Sequence, residues 1–312
     1  MEIDVIIPLY KPGKELFTLL DKLGSQSVPV HQVILLNTEE KYFDQLIYGI
    51  RFLETYQNIK VYHVSKREFD HGGTRRMGVK KSSADVFVMM TQDAMPKDDR
   101  LIEKLVEPLQ GEVAVAYARQ LPREDSTPVE SYTREFNYPA KSRIKSAADL
   151  DSLGIKTFFC SNVCAAYRRD IYEELGGFVR HTIFNEDMIY AAKAVEAGYS
   201  VAYAADAQVV HSHNYTNGQP FHRNFDLGVS QAEHPEIFAA YPSESEGKRM
   251  VKDVTVYLRS NHMSAGLPHF YMQCACKYAG YLLGKNYRRL PKKWVLAFTS
   301  NKEYWKQNRK DV

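Results

Sequence analysis

The 312-residue chain is poor in cysteine and tryptophan, with four and two residues respectively. The cysteines, Cys160, Cys164, Cys274 and Cys276, do not form two C-x-x-C pairs at the spacing of a zinc finger. A chain of this length buries a sizeable core without disulfide bonds. We therefore interpret the four cysteines as reduced, partly buried thiols of a cytosolic protein.

Long apolar runs are also missing from the sequence. No stretch reaches the roughly 18 apolar residues of a membrane span, and residues 1–10 read as a short strand rather than a signal peptide. The net charge of +3 is too small to indicate nucleic-acid binding, and no nucleic-acid-binding module is recognisable. The Walker A and G-x-G-x-x-G phosphate signatures are absent too. These absences predict a cytoplasmic globular protein that binds no nucleic acid.

The first 120 residues do contain a regular alternation of short apolar runs and helical patterns. The apolar runs predict strands at residues 3–7, 33–36, 60–64, 85–90 and 113–117. This rhythm predicts an α/β fold, a mostly parallel sheet flanked by helices. Because ligands bind beyond the carboxyl ends of such strands, we expect site residues directly after the first four of them.

The pattern changes along the rest of the chain. Residues 119–155 are polar and aperiodic, which predicts a loop that acts as a functional flap. Strand and helix patterns then resume until about residue 215, after which helical patterns dominate. We predict two domains, a catalytic domain of residues 1–215 and a helical, basic C-terminal extension of residues 216–312.

Polar residues follow two of the predicted strands. Asp93 comes after the fourth strand, where a carboxylate can hold a divalent cation against a diphosphate; a turn aspartate is the alternative. After the third strand, Gly72 and Gly73 let the backbone approach a ligand closely. Thr74 can cap the next helix, whose amino end favours phosphate, and Arg75 adds positive charge. A glycine turn with solvated charges is the alternative there.

Two more pairs of polar residues lie later in the chain. Glu186 and Asp187 open a helix, where acids complement the helix dipole or, beside a cleft, supply a general base. His211 and His213 follow a short strand and share one face, from which they could reach a metal or a diphosphate. Ordinary surface or core histidines are the alternative.

Seven short motifs follow one another over about residues 1–215. They are residues 5–10, 69–75, 91–94, 159–162, 167–169, 175–178 and 185–187. Each is weak alone, but this order and spacing are hard to obtain by chance. Together they resemble the family-2 inverting glycosyltransferases of the GT-A fold, and within them the rhamnosyltransferase branch. The string F-D-H-G-G-T-R, residues 69–75, is the most specific mark of that branch.

The resemblance implies roles for these residues. It places the nucleotide-sugar donor against Pro8, Tyr10, Asn37, Asp70, Gly72, Gly73, Arg75, Gln92 and Asp93. Ser161 and Asn162 are expected to border the sugar and the acceptor. Asp93, with His211 or His213, is expected to hold Mg²⁺ or Mn²⁺. Asp187 is the expected catalytic base, with Glu186 beside it.

Two departures from the family pattern bear on the function. Gln92-Asp93-Ala94 offers one carboxylate where many members have Asp-x-Asp, and Asn37 stands where many have an acidic pair. The implied reaction is a single displacement that moves a sugar to a hydroxyl of a glycan or lipid-linked glycan in cell-surface polysaccharide synthesis. The leading donor is dTDP-L-rhamnose. The alternatives are a UDP-sugar donor, and a non-catalytic nucleotide-binding protein of the same fold.

The C-terminal extension is basic and aromatic. Residues 285–310 contain nine Lys or Arg and one acid, Glu303, and both tryptophans, Trp294 and Trp305, lie among them. Basic residues interleaved with aromatic ones favour an anionic membrane surface. We therefore predict peripheral contact through residues 270–310 at the inner face of the plasma membrane. A packed helical subdomain with a solvated basic face, or a homodimer contact, is the alternative.

Overall fold

The structure, a computed structural model, describes residues 1–212, 218–242 and 244–306. Within them the chain forms two compact units. The first unit consists of Met1–Gln120, Ala140–Thr182 and Glu186–His211. The second consists of Leu121–Pro139, Ile183–Asn185 and the described residues from Ser212 onward. The predicted division between residues 215 and 216 differs from these units, mainly because Leu121–Pro139 groups with the later helices.

Nine strands of the described residues form one sheet. They are β1 (Ile3–Tyr10), β2 (Gln32–Thr38), β3 (Ile59–Val64), β4 (Val86–Met90), β5 (Met95–Pro96), β6 (Val113–Leu121), β7 (Arg143–Lys145), β8 (Cys164–Arg168) and β9 (Ser200–Val210). Their order across the sheet is β3-β2-β1-β4-β8-β6-β9-β5, and β7 pairs with β9. Pairs among β1 to β4 are parallel, whereas β8 runs antiparallel to both β4 and β6. The predicted α/β fold is confirmed, as a mixed sheet.

Fourteen α-helices are formed by the described residues. They are α1 (Glu15–Gly24), α2 (Glu40–Ile47), α3 (Phe52–Thr55), α4 (His71–Lys81), α5 (Leu101–Val106), α6 (Pro128–Asn137), α7 (Leu150–Leu153), α8 (Arg169–Glu174), α9 (Glu186–Glu196), α10 (Gly218–Glu233), α11 (Pro235–Phe238), α12 (Glu244–Ser260), α13 (Leu267–Lys285) and α14 (Lys292–Phe298). Helices α6 and α10 to α14 belong to the second unit. The helical C-terminal part is therefore confirmed.

The core of the first unit lies around the parallel strands. All residues of β4 and the first five of β1 are buried, as expected for strands covered by helices on both faces. The four leucines of α1, Leu16, Leu19, Leu20 and Leu23, recur at helical spacing and are all buried in that core. Complete burial of a leucine side chain stabilises a fold by roughly 1.5–3 kcal/mol. The same apolar runs that predict the strands thus supply the core that holds them.

The stretch predicted as an aperiodic flap contains regular structure. Helix α6 begins at Pro128, and the side chain of Thr127 accepts a hydrogen bond from the N–H of Glu130, which caps the helix. Strand β7 and the short helix α7 follow in the same stretch. The prediction of an aperiodic loop is wrong for these elements, and a role of this stretch as a flap stays a prediction. A capping threonine followed by proline at the first helical position was the signal available in the sequence.

Glycines bring α10 and α13 of the second unit into close contact. A Cβ atom on Gly284 would overlap the carbonyl oxygen of Phe225, and one on Gly280 would overlap that of Phe221. From the opposite helix, a Cβ on Gly228 would overlap the carbonyl oxygen of Tyr281. The two backbones therefore approach each other at a distance that only glycine permits.

We expect Gly284→Ala to destabilise the second unit. The added methyl group would overlap the backbone of α10 at Phe225, which cannot move aside as a flexible side chain can. Overpacking of this kind lowers the free energy of unfolding by about 1–3 kcal/mol. Gly247 on α12 is the matched control, since nothing lies within 4 Å of a Cβ built there. Gly247→Ala should be neutral or stabilising by up to about 1 kcal/mol, as alanine favours the helix. Urea unfolding measures both, and equal midpoints for the two variants would contradict the close packing.

Candidate active site

The amino end of α4 is built around Asp70. Its Oδ1 accepts a hydrogen bond from the N–H of Gly73 at 2.7 Å, and its Oδ2 accepts one from the N–H of Thr182 at 3.1 Å. His181 Nδ1 lies 2.9 Å from Oδ2. The predicted cap, Thr74, instead accepts a hydrogen bond at its hydroxyl from the N–H of Asp70 at 3.1 Å. That prediction is wrong, because the residue just before the helix is the one placed to bond the free N–H groups of the first turn.

Gly72 and Gly73 make room for another part of the protein. A Cβ on Gly72 would overlap the carbonyl oxygen of Val179, and one on Gly73 would lie 2.9 Å from that of Arg180. Both separations are closer than a Cβ atom tolerates. The approach of residues 179–180 to α4 therefore accounts for the two glycines, and their contact with a nucleotide stays a prediction.

Glu186, the first residue of α9, forms a buried ion pair. Its Oε1 lies 3.2 Å from Nε of Arg75, and its Oε2 lies 4.0 Å from Nδ1 of His71. Burial by itself would raise the pKa of Glu186, but the charges of Arg75 and His71 outweigh it and hold that pKa below its usual value. Glu186 therefore stays ionised, and Arg75 is already neutralised by a carboxylate of the protein.

Asp187 is the neighbouring acid, and it keeps part of its surface exposed. Its Oδ2 accepts a hydrogen bond from the N–H of Asn162 at 2.9 Å, and its Oδ1 accepts one from the N–H of Met188 at 2.8 Å. Loss of hydration, followed by the negative charge of Glu186, raises the pKa of Asp187 to about 7. A carboxylate with a pKa near the working pH is suited to take a proton from a hydroxyl and pass it on.

Asn162 holds the two acids in place. Besides the backbone bond to Asp187, its Nδ2 donates to Oε1 of Glu186 at 2.9 Å. Its Oδ1 accepts from the hydroxyl of Tyr167 at 2.7 Å, which fixes the amide orientation. Asn162 is only 3% exposed. Its expected place beside the sugar and acceptor stays a prediction, and the contacts in hand are with the two carboxylates.

Asp93 and His211 face each other on the same unit. His211 Nε2 lies 3.5 Å from Asp93 Oδ1; the His211 side chain is 7% exposed and that of Asp93 is 44% exposed. Carboxylate oxygen is a ligand of both Mn²⁺ and Mg²⁺, whereas an imidazole nitrogen suits a transition metal such as Mn²⁺ better than Mg²⁺, and one cation could contact both atoms. Among residues 1–212, 218–242 and 244–306, no group of three or more His, Cys, Asp or Glu is placed to hold a metal. The donor set therefore suits a cation whose remaining ligands come from a diphosphate and water, and His213 lies outside the described residues.

Gln120, at the end of β6, links this pair to the two acids. Its Oε1 lies 3.0 Å from Nδ1 of His211, and its Nε2 donates to the hydroxyl of Ser161 at 3.0 Å. With the amide oxygen as acceptor, Nδ1 of His211 carries the proton, and Nε2 is left to face Asp93. Ser161 is followed directly by Asn162, so a continuous path joins Asp93 to Asp187. Nothing in the sequence singled out Gln120, because its role depends on strands that meet only in the fold.

Tyr10, at the carboxyl end of β1, lies beside the segment that carries Asp93. Tyr10 is 41% exposed, its ring packs edge-on against that of Tyr42 at 5.8 Å between centroids, and Lys11 Nζ lies 5.4 Å from the Tyr10 centroid. Gln92 holds the end of β1, since it accepts from the N–H of Tyr10 and donates to the Tyr10 carbonyl. Tyr42 and Lys11 were not predicted. An exposed tyrosine ring, backed by a partly buried one and with a cation beside it, is suited to a nucleobase.

Two other residues that were predicted to contact the nucleotide-sugar donor, Asn37 and Pro8, are at least partly buried in the protein. Asn37 is fully buried, and its Nδ2 donates to the carbonyl of Glu39 at 3.1 Å and lies 3.0 Å from Nδ1 of His63. Pro8 is partly buried within β1. Both lie near the strand ends where the site was expected, and their contact with a donor stays a prediction.

Comparison with known proteins identifies the family to which the chain belongs. The model of Glycosyl transferase family 2 matches residues 4–176, more than half of the chain. The chain belongs to glycosyl transferase family 2. It is therefore a glycosyltransferase, as the motif order predicted, and Asp70, Asp93 and Asn162 all lie within the matched stretch.

Two curated relatives of this family 2 chain align with nearly all of it. It is 40% identical over 311 residues to the O-antigen chain rhamnosyltransferase RfbN of Salmonella typhimurium, covering 98% of this chain and 96% of that one. It is 37% identical over 308 residues to the O-antigen chain rhamnosyltransferase WbaN of Salmonella anatum, covering 96% and 95%. The aligned regions therefore extend through the C-terminal part of this chain, beyond the stretch that matches the family 2 model.

Solved structures share the fold at low sequence identity. The mannosyltransferase PcManGT from Pyrobaculum calidifontis, in complex with GDP-Man and Mn²⁺, superposes with a TM-score of 0.60 at 15% identity and covers 91% of this chain and 87% of its own. Residues 1–349 of S. aureus TarS superpose with a TM-score of 0.51 at 14% identity, covering 93% and 92%. The likeness confirms the GT-A fold of this family 2 chain.

The link made by Gln120 leads to a prediction about metal affinity. Gln120→Leu removes the oxygen that orients His211, and loss of such a supporting group typically lowers metal affinity about 10–100-fold. Mn²⁺ titration followed by electron paramagnetic resonance, with a nucleoside diphosphate present, measures the change. Gln208→Leu on β9 is the control and should bind Mn²⁺ like the parent. An unchanged affinity in Gln120→Leu would rule out this orienting role.

Proposed function

We propose that the chain transfers L-rhamnose from dTDP-L-rhamnose to a hydroxyl of a lipid-linked glycan in cell-surface polysaccharide synthesis. The F-D-H-G-G-T-R string supports this sugar, as do the names of the two Salmonella relatives. The observation that carries the chemistry is Asp187, a partly exposed carboxylate whose pKa is raised to about 7 and whose Oδ2 is held by Asn162. A carboxylate in that state is suited to act as a general base, which favours transfer over nucleotide binding alone.

The proposed reaction is a single displacement with inversion. Asp187 takes the proton of the acceptor hydroxyl while that oxygen attacks the anomeric carbon, and the bond from this carbon to the diphosphate breaks. Glu186 stays ionised beside Arg75 and keeps the Asp187 pKa raised. A divalent cation at Asp93 and His211, when bound, would neutralise charge that develops on the leaving diphosphate. Preorganised charge stabilisation of this kind is usually a large part of catalysis.

The deciding experiment is a thermal-shift screen against nucleotide sugars, with and without Mn²⁺. A ligand that binds only the folded state stabilises it by about 2.7 kcal/mol at a hundred times its Kd. The proposal expects dTDP-L-rhamnose with Mn²⁺ to raise the melting temperature more than UDP-glucose or UDP-GlcNAc does. A larger shift with a UDP-sugar would show that dTDP-L-rhamnose is the wrong donor. Binding of a nucleotide sugar without transfer to any acceptor would favour the non-catalytic alternative.

The second unit supports peripheral contact with a membrane. No helix in the described part of the chain is long and apolar enough to cross a bilayer. Helix α13 has no acidic residue, and large apolar side chains remain exposed on it and on α14: Tyr271, Met272, Tyr278, Leu282 and Trp294. The other tryptophan, Trp305, packs instead against the cluster that contains Tyr287 and Tyr304. Such a surface suits the interface of an anionic bilayer better than water.

Membrane contact can be tested by sedimentation with vesicles. The proposal expects binding to vesicles of phosphatidylglycerol and phosphatidylcholine, weaker binding to phosphatidylcholine alone, and a several-fold loss in Tyr278→Ser with Trp294→Ala. Tyr48→Ser is the control, since Tyr48 is 90% exposed but lies on the first unit. Equal sedimentation of the parent, the double variant and the control would favour the two alternatives, a solvated basic face or a homodimer contact. Gel filtration then distinguishes a monomer from a dimer.

A further inference from the structure

Lys145, the last residue of β7, carries an amino group into the interior of the first unit. The residue is 4% exposed. Its Nζ donates to the carbonyl oxygens of Lys156 at 3.0 Å and Phe159 at 2.5 Å, and to the hydroxyl of Tyr117 at 3.3 Å. It also lies over the ring of Tyr117, at 4.9 Å from the centroid. In its ammonium form the group has three N–H donors for these three neutral oxygens, and no carboxylate of the described residues accepts from it.

A lysine in this place is costly. Burial lowers the pKa of Lys145 to about 7, because the ammonium form loses its hydration. A buried cation without an opposite charge is unfavourable, and an apolar side chain of similar length would avoid that cost. Packing alone therefore does not account for a lysine at this position, and its role follows from the oxygens to which it donates.

One of these oxygens, that of Lys156, belongs to the 3-10 turn Gly154–Phe158, and the carbonyl oxygen of Phe159 directly follows the turn. The carbonyl of Lys156 also accepts a hydrogen bond from the N–H of Phe159 at 3.2 Å. A cationic donor at the carboxyl end of a helical turn adds a further hydrogen bond there and complements the dipole of the turn. Lys145 thus fixes where the turn stops and where the following residues begin. Only Cys160 and Ser161 separate Phe159 from Asn162.

The segment that starts from this fixed point holds the reacting groups. Asn162 bonds Asp187 through its backbone N–H and Glu186 through its side chain. The next residue, Val163, accepts at its carbonyl from the N–H of Thr91, close in sequence to Asp93. Displacement of Phe159 would therefore be passed on to the carboxylate of Asp187 within a few bonds.

We propose that Lys145 is a positioning residue for transfer, which sets the location of Asp187 through the 159–162 segment. The proposal rests on the proposed function, in which Asp187 is the base. It predicts that Lys145→Met lowers kcat by about 10–100-fold, since misplacement of a reacting group by about 1 Å can cost 10²-fold. The Kd for dTDP-L-rhamnose, measured by calorimetry, should stay within about twofold, because none of the residues bonded by Lys145 belongs to the proposed donor site.

A double-mutant cycle with Asp187→Asn separates positioning from a merely structural role. If Lys145 acts through Asp187, Lys145→Met should cost little further rate once the carboxylate is gone. Single-turnover transfer of radiolabelled rhamnose gives the four rates. Lys193→Met is the control, since Lys193 is an exposed lysine on the same helix as Asp187, and it should behave like the parent.

Several outcomes would overturn the proposal. A parental kcat in Lys145→Met would end it. So would an equal fold loss of rate when Lys145→Met is made in the parent and in Asp187→Asn. If Lys145→Met does not fold, Lys145→Gln, which keeps a shorter donor, takes its place, and failure of both to fold would make the lysine a structural residue. Full activity of Asp187→Asn would show that the proposed function has the wrong base. An inactive Asp187→Asn together with a fully active Lys145→Met would instead leave the base assignment intact and overturn only the role of Lys145.

Discussion

Asp187→Asn should lower kcat by about 10²–10⁴-fold, the usual contribution of a general base. The amide cannot take the proton of the acceptor hydroxyl, yet it is nearly the same size and can still accept a hydrogen bond from the N–H of Asn162. The Kd of dTDP-L-rhamnose should therefore change by no more than about twofold. Steady-state transfer rates and calorimetric donor binding measure the two quantities separately.

The pH dependence gives this prediction a second, independent readout. The pKa of Asp187 is raised to about 7, so the carboxylate takes up a proton as the pH falls through that value. Activity of the parent should accordingly be lost on the acid side, below about pH 7, and be retained above it. In Asp187→Asn the residual rate should lack this acid limb.

Asp206 provides the matched control for Asp187. It is an exposed carboxylate on β9 of the same unit, and Asp206→Asn removes the same charge without touching the site. That variant should show the parental rate and the parental pH profile. A rate for Asp187→Asn near that of the control would show that another group is the base.

Asp93→Asn should weaken donor binding as well as turnover, with kcat/KM falling about 10²–10³-fold. The side chain of Asp93 is 44% exposed and faces Nε2 of His211 at 3.5 Å, so its charge is available to a cation and through it to a diphosphate. The amide has no charge to offer. Mn²⁺ affinity in the presence of dTDP should fall too, and the Mn²⁺ concentration needed for half-maximal transfer should rise.

The two carboxylate variants should differ in kind. Asp187→Asn is expected to lose rate at unchanged donor affinity, whereas Asp93→Asn should lose affinity and metal response together. Asp99→Asn, an exposed carboxylate shortly after Asp93, controls for loss of charge near the site. Full activity of Asp93→Asn, or full activity of the parent after chelation with EDTA, would contradict the proposed metal site.

Residues that act through local rules were predicted well from the sequence. The apolar run of β4 and the leucines of α1 have to be buried whatever surrounds them, and they form the core of the first unit. The order of the motifs pointed to the family, and the family match over residues 4–176 confirms it. Each of these features lies within one short stretch of chain, which is why a pattern could indicate it.

Residues that act across the fold could not be predicted in the same way. Gln120 is an ordinary polar residue of β6, and it acquires its role from His211, which lies far along the chain. Lys145 on β7 acquires its role from carbonyl oxygens that the fold of the following turn brings to its amino group. Gly72 and Gly73 predict a close approach of the backbone to a ligand, and only the structure shows that residues 179–180 approach them closely as well. Contact of the two glycines with a nucleotide stays a prediction. Short-range spacing carries no information about which carbonyl will lie against a glycine.

By itself, the sequence determined the α/β class of the first unit, the helical character of the C-terminal part and the glycosyltransferase family, because burial periodicity and motif order are properties of the chain. Only the tertiary structure decided which of two adjacent acids has the raised pKa. Arg75 and His71 from α4 lie against Glu186 and hold its pKa down. Loss of hydration and the charge of Glu186 raise the pKa of Asp187, although Asn162 and Met188 donate hydrogen bonds to its carboxylate. Charge and hydration at a carboxylate depend on what lies within a few ångströms of it, and folding alone sets those neighbours.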